Sequence, residues 1–151
     1  MTDYAFALLT RMVGGDKGVW SAAELSDVTG LPLPTVAKIL KKLTKCHIIS
    51  ARRGAAGGYS LAQQARDLSI ADIIEAIDGP IAITDCAGSG DRTCHVGSLC
   101  SMTAGWNVVN RAIRHALQKV SLADMAAPNR MMEHALHDDQ NSKILELKAL
   151  P

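Results

Sequence analysis

The chain of 151 residues is long enough for one domain with a hydrophobic core, and 48% apolar with 21% charged residues is an ordinary globular composition. No apolar run approaches the roughly 18 residues that a membrane span requires, so we expect no membrane contact. The first residues carry Asp3 and Arg11 and have no basic leader, which predicts a helix and not a signal peptide. We therefore expect a cytoplasmic protein.

The net charge of +1 conceals an uneven distribution of charged residues. Residues 1–66 contain nine basic and four acidic side chains, a balance of +5, whereas residues 67–151 contain seven and eleven, a balance of −4. Between Asp27 and Asp67 every charged residue is basic. Such a run is either a solvated surface or, if one element carries it, a surface for the phosphates of a nucleic acid.

The N-terminal segment predicts two helices. Thr2 is placed to cap the first, which runs to about Val13 and ends at a pair of glycines. The segment Ser21–Glu24 has the spacing of a capping box, in which each side chain binds a free backbone N–H of the other residue. The helix that it begins is short and stops at Gly30.

A third helix is predicted to start near Pro34, because the prolines of the Leu31–Pro34 segment force a turn. Apolar residues recur along it at helical spacing and define a packing side: Val36, Ile39, Leu40 and Leu43. We expect the opposite surface to carry Thr35, Lys38, Lys41, Lys42 and Lys45. A short helix, a tight turn and an amphipathic basic helix make a helix-turn-helix.

A β-hairpin is predicted next, from Ile48–Ala51 and Tyr59–Leu61 on either side of a turn whose glycines supply positive φ, namely Gly54, Gly57 and Gly58. A hairpin directly after the second helix of the motif is a wing, so the fold class is mainly α, a winged helix-turn-helix. We expect base contacts from Pro34, Thr35 and Lys38, and phosphate contacts from Lys41, Lys42 and Lys45. The wing is expected to contact DNA through Arg52, Arg53 and Tyr59, with the two arginines in a minor groove.

The second half begins with a helix capped by Ser69 that ends before Gly79, followed by an extended Ile81–Thr84. A long amphipathic helix is predicted at about 101–120. It serves either dimerisation or burial in the chain's own core. Its apolar side is formed by Met102, Trp106, Val109, Ile113, Ala116, Leu117 and Val120. Ser121–Asp124 caps a short turn. The predicted parts are a DNA-binding domain (1–80), a cysteine-bearing loop (81–100), a dimerisation helix with its cap (101–126) and a weakly structured tail (127–151).

Three of the four cysteines, Cys86, Cys94 and Cys100, lie within fifteen residues of one another. Their C-x7-C-x5-C spacing lacks the close pairs that are typical of zinc sites, and wide spacing of soft thiolates suits an iron–sulfur cluster. The alternative is a set of scattered thiols on a surface loop. Cys46 differs, because it ends an amphipathic helix and is expected to be a small buried hydrophobe.

A fourth cluster ligand is left open by three cysteines. His95 directly follows Cys94, which is too close in sequence for both to bind one metal comfortably. Asp3 lies at the start of the first helix, where a dimer partner could bring it to the cysteines. The alternative is an ordinary acidic residue that the helix dipole stabilises.

These motifs resemble the IscR/NsrR-type family of bacterial winged-helix regulators, and within it the members that control SUF-type iron–sulfur cluster assembly genes. The similarity runs from Thr2–Ala5 through the wing segment Arg53–Tyr59, the Asp72–Pro80 segment and the three cysteines to Ser121–Asp124. The first cysteine spacing departs from the family, since seven intervening residues stand where five are common.

The resemblance implies a homodimer that crosses through the long helix, with an iron–sulfur cluster bound by the three loop cysteines. A 2Fe–2S cluster is preferred to a 4Fe–4S cluster. In some members the fourth ligand is a carboxylate from the first helix of the other subunit, and Asp3 occupies that position. In others it is a histidine three residues after the last cysteine; here that residue is Thr103, so this option is closed.

The expected function is therefore a dimeric regulator that binds a double-stranded DNA operator under the control of an iron–sulfur cluster. One alternative is a repressor that senses redox state through a thiol–disulfide pair without a cluster. Another, of a different class, is an iron–sulfur electron-transfer or cluster-delivery protein. We expect no enzyme and no small-molecule substrate, because no catalytic or nucleotide-binding motif is present.

Overall fold

The computed structural model describes residues 1–54, 56–84 and 102–127. The N-terminal part has three helices, α1 (Thr2–Gly14), α2 (Ala22–Thr29) and α3 (Leu33–Lys45), then a hairpin of β1 (Ile49–Arg52) and β2 (Gly58–Leu61). After a short turn of 3-10 helix (Ala65–Asp67) come α4 (Ile70–Asp78), α5 (Thr103–Gln118) and α6 (Leu122–Ala126). The predicted mainly α fold with a two-stranded wing is confirmed.

The core forms where α1, α3 and α4 meet the hairpin. The four apolar residues predicted for the packing side of α3 are fully buried there: Val36, Ile39, Leu40 and Leu43. The helical spacing therefore identified that side correctly. Each such side chain contributes roughly 1.5–3 kcal/mol through its removal from water. Leu8 and Leu9 of α1 and Ile73 and Ile77 of α4 complete this core from the other side.

The wing is an antiparallel pair in which Ala51 lies opposite Tyr59 and Arg52 opposite Gly58. Trp20 adds a third short segment, because its N–H donates to the Tyr59 carbonyl at 2.8 Å and its carbonyl accepts from the Tyr59 N–H at 2.7 Å. The hairpin is thereby fixed to the helical core. Arg52, which the sequence placed in the turn, belongs to β1.

Two of the three turn glycines have the expected positive φ, +112° at Gly54 and +156° at Gly58. Gly57 is not among the positive-φ residues, so that part of the prediction is wrong. A Cβ on Gly57 would lie 2.4 Å from the Arg52 carbonyl oxygen, which shows that close approach of the backbone requires this glycine.

Serine caps place three helix starts where the sequence predicted them. The Ser21 and Ser121 side chains accept hydrogen bonds from backbone N–H groups three residues later, at 3.1 and 3.2 Å, and both boxes are closed by the reciprocal carboxylate. Ser69 caps α4 in the same way, at 3.1 Å. The cap predicted for α1 is wrong, because Met1 is the N-cap and Thr2 is the first helical residue, whose hydroxyl donates to Asp78.

Two further expectations are corrected. Cys46 is exposed, because it follows the last turn of α3, where the stripe of buried positions has ended. The next residue, His47, takes a left-handed φ of +58°, and its N–H and that of Ile48 bind carbonyls of α3, which turns the chain into β1. Ile81–Thr84 contains no strand but bends at its end.

None of the helices in the described ranges is long and apolar enough to cross a membrane. The predicted tail, apart from Ala127, lies outside the described residues, as does most of the predicted cysteine-bearing loop.

Candidate nucleic-acid interface

The outward side of α3 is a stripe of exposed residues opposite the buried one. Its members are spaced by three and four positions and are all exposed: Pro34, Lys38, Lys41 and Lys45. Because the opposite side is fixed in the core, these lysines cannot rotate away from solvent as a group. Three cations on one exposed helix surface concentrate the positive charge that phosphate contacts require, and the contacts themselves stay a prediction.

Lys42 lies on a different side of α3. Its ammonium group donates a hydrogen bond to the carbonyl of Ile77, near the end of α4. Lys42 is exposed, as expected, but it points away from Lys41, because a shift of one residue turns the side chain by about 100° around the helix. Its predicted DNA contact stays a prediction. Its place beside α4 had no signal in the sequence, which contains thirty-four residues between the two partners.

The turn before α3 holds the recognition helix at a fixed angle to α2. Gly30 takes the left-handed conformation at φ +69°, and the Ser26 hydroxyl donates to the Leu31 carbonyl at 2.6 Å. The Pro32 carbonyl then accepts the N–H of Thr35 at 2.9 Å, which begins the first turn of α3. Thr35 itself is half-buried, on the flank between the core and the outward stripe.

The wing carries two further cations near this surface. Arg52 at the end of β1 and Arg53 in the turn are both exposed. Tyr59, also predicted to contact DNA, is half-buried and packs against the core. Its DNA contact stays a prediction, whereas its place in the hairpin is explained by the bonds to Trp20.

The α2 helix carries two acidic residues, of which Glu24 is paired with a cation and Asp27 is exposed. Glu24 lies at the start of α2, where Lys17 donates to its Oε1 at 2.7 Å and the Ser21 N–H to its Oε2 at 2.8 Å. These bonds, first of all that from Lys17, lower the pKa of Glu24 to about 2, so it is an anion paired with a cation at neutral pH. The charge of Glu24 is therefore balanced by Lys17, and α3 itself contains no acidic residue.

The C-terminal end of α4 joins three other helices. The Ile77 carbonyl accepts a hydrogen bond from Lys42 of α3, and the Asp78 carboxylate accepts one from the Thr2 hydroxyl of α1. From α5, Arg114 binds both carboxylate oxygens of Glu75, at 2.7 and 3.0 Å, which lowers the pKa of Glu75. This α4 junction, Glu75–Asp78 with its partners, lies immediately before the chain segment that leads to the predicted cysteines.

The long helix α5 has no fully buried side chain among those described. One side, half-buried against its own domain, contains Trp106, Asn110, Ile113 and Leu117. The predicted apolar side is therefore divided, since Met102 and Val109 are 58% and 42% exposed. Val109 and Ala116 of the predicted side instead share an exposed strip with Gly105 and Ala112, which sequence reasoning did not single out. The four residues are spaced as the seam of a helix pair.

The predicted cluster ligands Cys86, Cys94 and Cys100 lie outside the described residues. Asp3 is described, in the first turn of α1 and exposed. Across residues 1–54, 56–84 and 102–127 no three histidine, cysteine or acidic side chains are grouped closely enough to hold a metal. The proposed ligand set therefore stays a prediction.

Comparisons with known proteins agree with this architecture. The family model Rrf2, described as an iron-dependent transcriptional regulator, matches residues 1–128. The HTH-type transcriptional regulator Rv1287 of Mycobacterium tuberculosis is 30% identical over 93% of this chain and 88% of its own, and IscR of Vibrio vulnificus is 28% identical over 84% and 74%. These relatives confirm the resemblance seen in the sequence.

Two solved structures are similar in fold. An IscR of T. potens superposes with a TM-score of 0.57 at 27% identity, covering 82% of this chain and 79% of its own. CymR, the global cysteine regulator of B. subtilis, superposes with a TM-score of 0.62 at 20% identity, over 83% and 92%. The family match covers all of the described residues, and the relatives named above are transcriptional regulators, a class of DNA-binding proteins that are not enzymes. The chain belongs to the Rrf2 family of DNA-binding transcriptional regulators.

Proposed function

We propose that the chain is a cytoplasmic homodimeric regulator whose binding to double-stranded operator DNA is controlled by an iron–sulfur cluster, acting on genes for cluster assembly. The observation that carries the proposal is the outward lysine stripe of α3 in a member of an iron-dependent family. The lysines supply affinity for any DNA, and side chains in the first turns of α3 supply sequence preference.

The exposed strip on α5 supports the homodimer. Small residues at i, i+4, i+7 and i+11 allow two helices to approach closely, and Val109 provides an apolar contact at the centre of the strip. The α5 helix packs on its own domain along one side, and none of its described side chains is fully buried, so the exposed strip on the other side is open to a partner helix. A second copy of α5 fits there, because the strip is compatible with itself.

The donor set supports the cluster. Three thiolates on one segment are the ligands that iron–sulfur clusters take, and Asp3 offers an exposed carboxylate as the fourth, from the partner subunit. We propose Cys86, Cys94, Cys100 and Asp3 as the ligands, with 2Fe–2S as the cluster. When bound, the cluster supplies a centre whose stability depends on iron and oxidants.

The α4 junction gives the ligand segment a route to the DNA-binding surface. Glu75 is bonded to α5 and Asp78 to the first residue of α1, whose next residue is Asp3. Lys42 connects the same end of α4 to the recognition helix. A ligand shifts an equilibrium between two states only if it binds them with different affinities. Cluster binding can therefore change operator affinity only if ordering of the ligand segment alters these bonds.

The test is purification of the full chain without air, with iron and sulfide counted and operator affinity measured before and after removal of the cluster. We expect visible absorption, stoichiometric iron and sulfide, and a change in affinity of about 5- to 150-fold. Cys86→Ala, Cys94→Ala and Cys100→Ala should abolish the absorption, and the matched control Cys46→Ala should keep it. Colourless, metal-free wild type overturns the cluster, and a disulfide that alone controls DNA binding would establish the thiol sensor instead.

The dimer has its own test in sedimentation velocity. A glutamate at the centre of the strip, in Val109→Glu or Ala112→Glu, buries a charge at the proposed contact and should give monomers with weakened operator binding. Asn107→Glu adds the same charge on an exposed position of α5 outside the strip and should leave the dimer intact. Dimers that persist in both strip variants would contradict this interface.

A further inference from the structure

An apolar patch lies at the start of the recognition helix. Leu33, the first residue of α3, is 47% exposed, and Pro34 and Ala37 beside it are exposed as well. A single exposed apolar residue is common on any protein. Here three are adjacent, at i, i+1 and i+4, in the half of the helix that enters the major groove in helix-turn-helix proteins.

Apart from lysine, the charged and amide side chains that read bases through hydrogen bonds are missing from α3. Its sequence, LPTVAKILKKLTK, has no arginine, asparagine, glutamine, aspartate or glutamate. These are the residue types that recognise guanine, adenine or cytosine edges, with bidentate geometry for the first three. In the first two turns only Thr35 and Lys38 have polar side chains, and Thr35 is half-buried.

Lys38 is the one lysine in the first two turns, where it can donate to guanine O6 and N7. Lys41 and Lys45 lie further along the outward stripe, nearer the end of α3, where the proposed function assigns them to phosphates. A lysine on a phosphate carries no sequence information. Apart from Lys38 and half-buried Thr35, the side chains available for base contacts at the start of the helix are those of the apolar patch.

Thymine is the base that an apolar patch selects, because its 5-methyl group is the one apolar substituent that base pairs present in the major groove. We propose that Leu33, Pro34 and Ala37 form a contact surface for thymine methyl groups, so that methyl burial reads part of the operator half-site. The inference rests on the proposed DNA-binding function and specifies what that surface recognises. Burial of one methyl group corresponds to about fourfold in affinity, or roughly 15-fold when both half-sites of a dimer lose it.

The experiment begins with duplexes that the full-length protein selects from a random pool. Each thymine of the selected half-site is then replaced by deoxyuridine, which keeps the hydrogen-bonding groups and lacks only the methyl. We expect thymine enrichment in the half-site and losses of about fourfold per methyl at the positions that are read. Replacement of flanking thymines should have no effect.

A second experiment removes Leu33 and the thymine methyl group separately and together. In Leu33→Ser, deoxyuridine at the thymine that Leu33 contacts should no longer reduce affinity, because the partner of the methyl is gone. Val28→Ser is the matched control, since Val28 is 43% exposed on α2 and should leave the methyl dependence unchanged. Both residues are exposed, so neither variant opens a cavity in the core.

The outcomes separate this inference from the proposed function. If no duplex is selected, the DNA-binding function fails. If duplexes are selected but no thymine position loses more than twofold on replacement, DNA binding stands and methyl reading is overturned. Full methyl dependence in Leu33→Ser and in Ala37→Ser would likewise overturn it, because the methyl groups would then be read by other residues.

Discussion

Lys41 and Lys42 are neighbours in sequence that point to different partners, so replacing each by alanine separates DNA contact from helix packing. Lys41 is exposed on the outward stripe of α3, and Lys42 donates to the Ile77 carbonyl of α4. Lys41→Ala should weaken operator binding and leave stability within about 0.5 kcal/mol of wild type. Lys42→Ala should lower the free energy of unfolding by about 1 kcal/mol, because a hydrogen bond to a backbone carbonyl is lost.

The magnitude for Lys41 follows from counterion release. Each lysine–phosphate contact contributes about 0.9 to the slope of log affinity against log salt concentration, so a dimer that loses two contacts loses about 1.8. At 0.1 M salt this corresponds to a loss of affinity on the order of 60-fold, if nothing else replaces the contacts. The loss should be the same for every DNA sequence, because phosphates carry no sequence information.

The assay is a fluorescence-anisotropy titration of an operator duplex and of an unrelated duplex at several salt concentrations, paired with urea unfolding of each variant. Lys41→Ala should flatten the salt dependence on both duplexes, and Lys42→Ala should leave the slope unchanged. If Lys42→Ala flattens the slope as much as Lys41→Ala, the bond to Ile77 does not describe the DNA-bound protein and the division of α3 into separate sides is refuted.

Two further predictions concern stability, measured by urea unfolding. The pair Glu75–Arg114 is partly exposed and should contribute up to about 1 kcal/mol to stability. Because the pKa of Glu75 is lowered from 4.5, the effect of Glu75→Gln should be full above about pH 4.5 and disappear as the pH falls through the lowered value. A loss of stability that is independent of pH would contradict this assignment. Gly58→Ala should destabilise the wing by about 1–3 kcal/mol, since its Cβ would lie 2.6 Å from the Trp20 carbonyl oxygen at φ +156°, whereas the control Gly14→Ala meets nothing within 4 Å and should be neutral or stabilising. Equal stabilities of the two glycine variants would refute the close approach.

The parts of the fold that the sequence predicted are those determined by local chemistry. A serine with an acidic residue three positions later identified the starts of α2 and α6 because both partners of the cap lie in one turn. Thr2 offered the same local appearance, and yet its hydroxyl bonds to Asp78, which only the packing of α1 on α4 brings near. A local signal cannot distinguish these two uses of a hydroxyl.

In the candidate site, too, local patterns predicted some features and could not predict others. Helical spacing identified the buried side of α3 and hence the outward lysines, but it could not decide that Lys42, on the flank, reaches α4. The exposure of Leu33 could not be predicted for a related reason, because an apolar residue at a helix start is expected to pack, and only the fold shows that it is 47% exposed. Arg114 and Glu75 are separated by thirty-eight residues, so no pattern in the chain indicated their pairing.

The arrangement of α3 also restricts how DNA binding can be controlled. Its core side chains are fully buried among neighbours, and a packed core does not deform continuously, so α3 cannot tilt on its own without breaking those contacts. Control therefore has to move the winged helix as a unit relative to α5. In the proposed dimer the two recognition helices must lie about one turn of DNA apart, and a small rotation of each unit about the α4 junction changes that separation. Regulation through this junction requires no change in the residues that contact the bases, which allows sequence preference and response to the signal to vary independently.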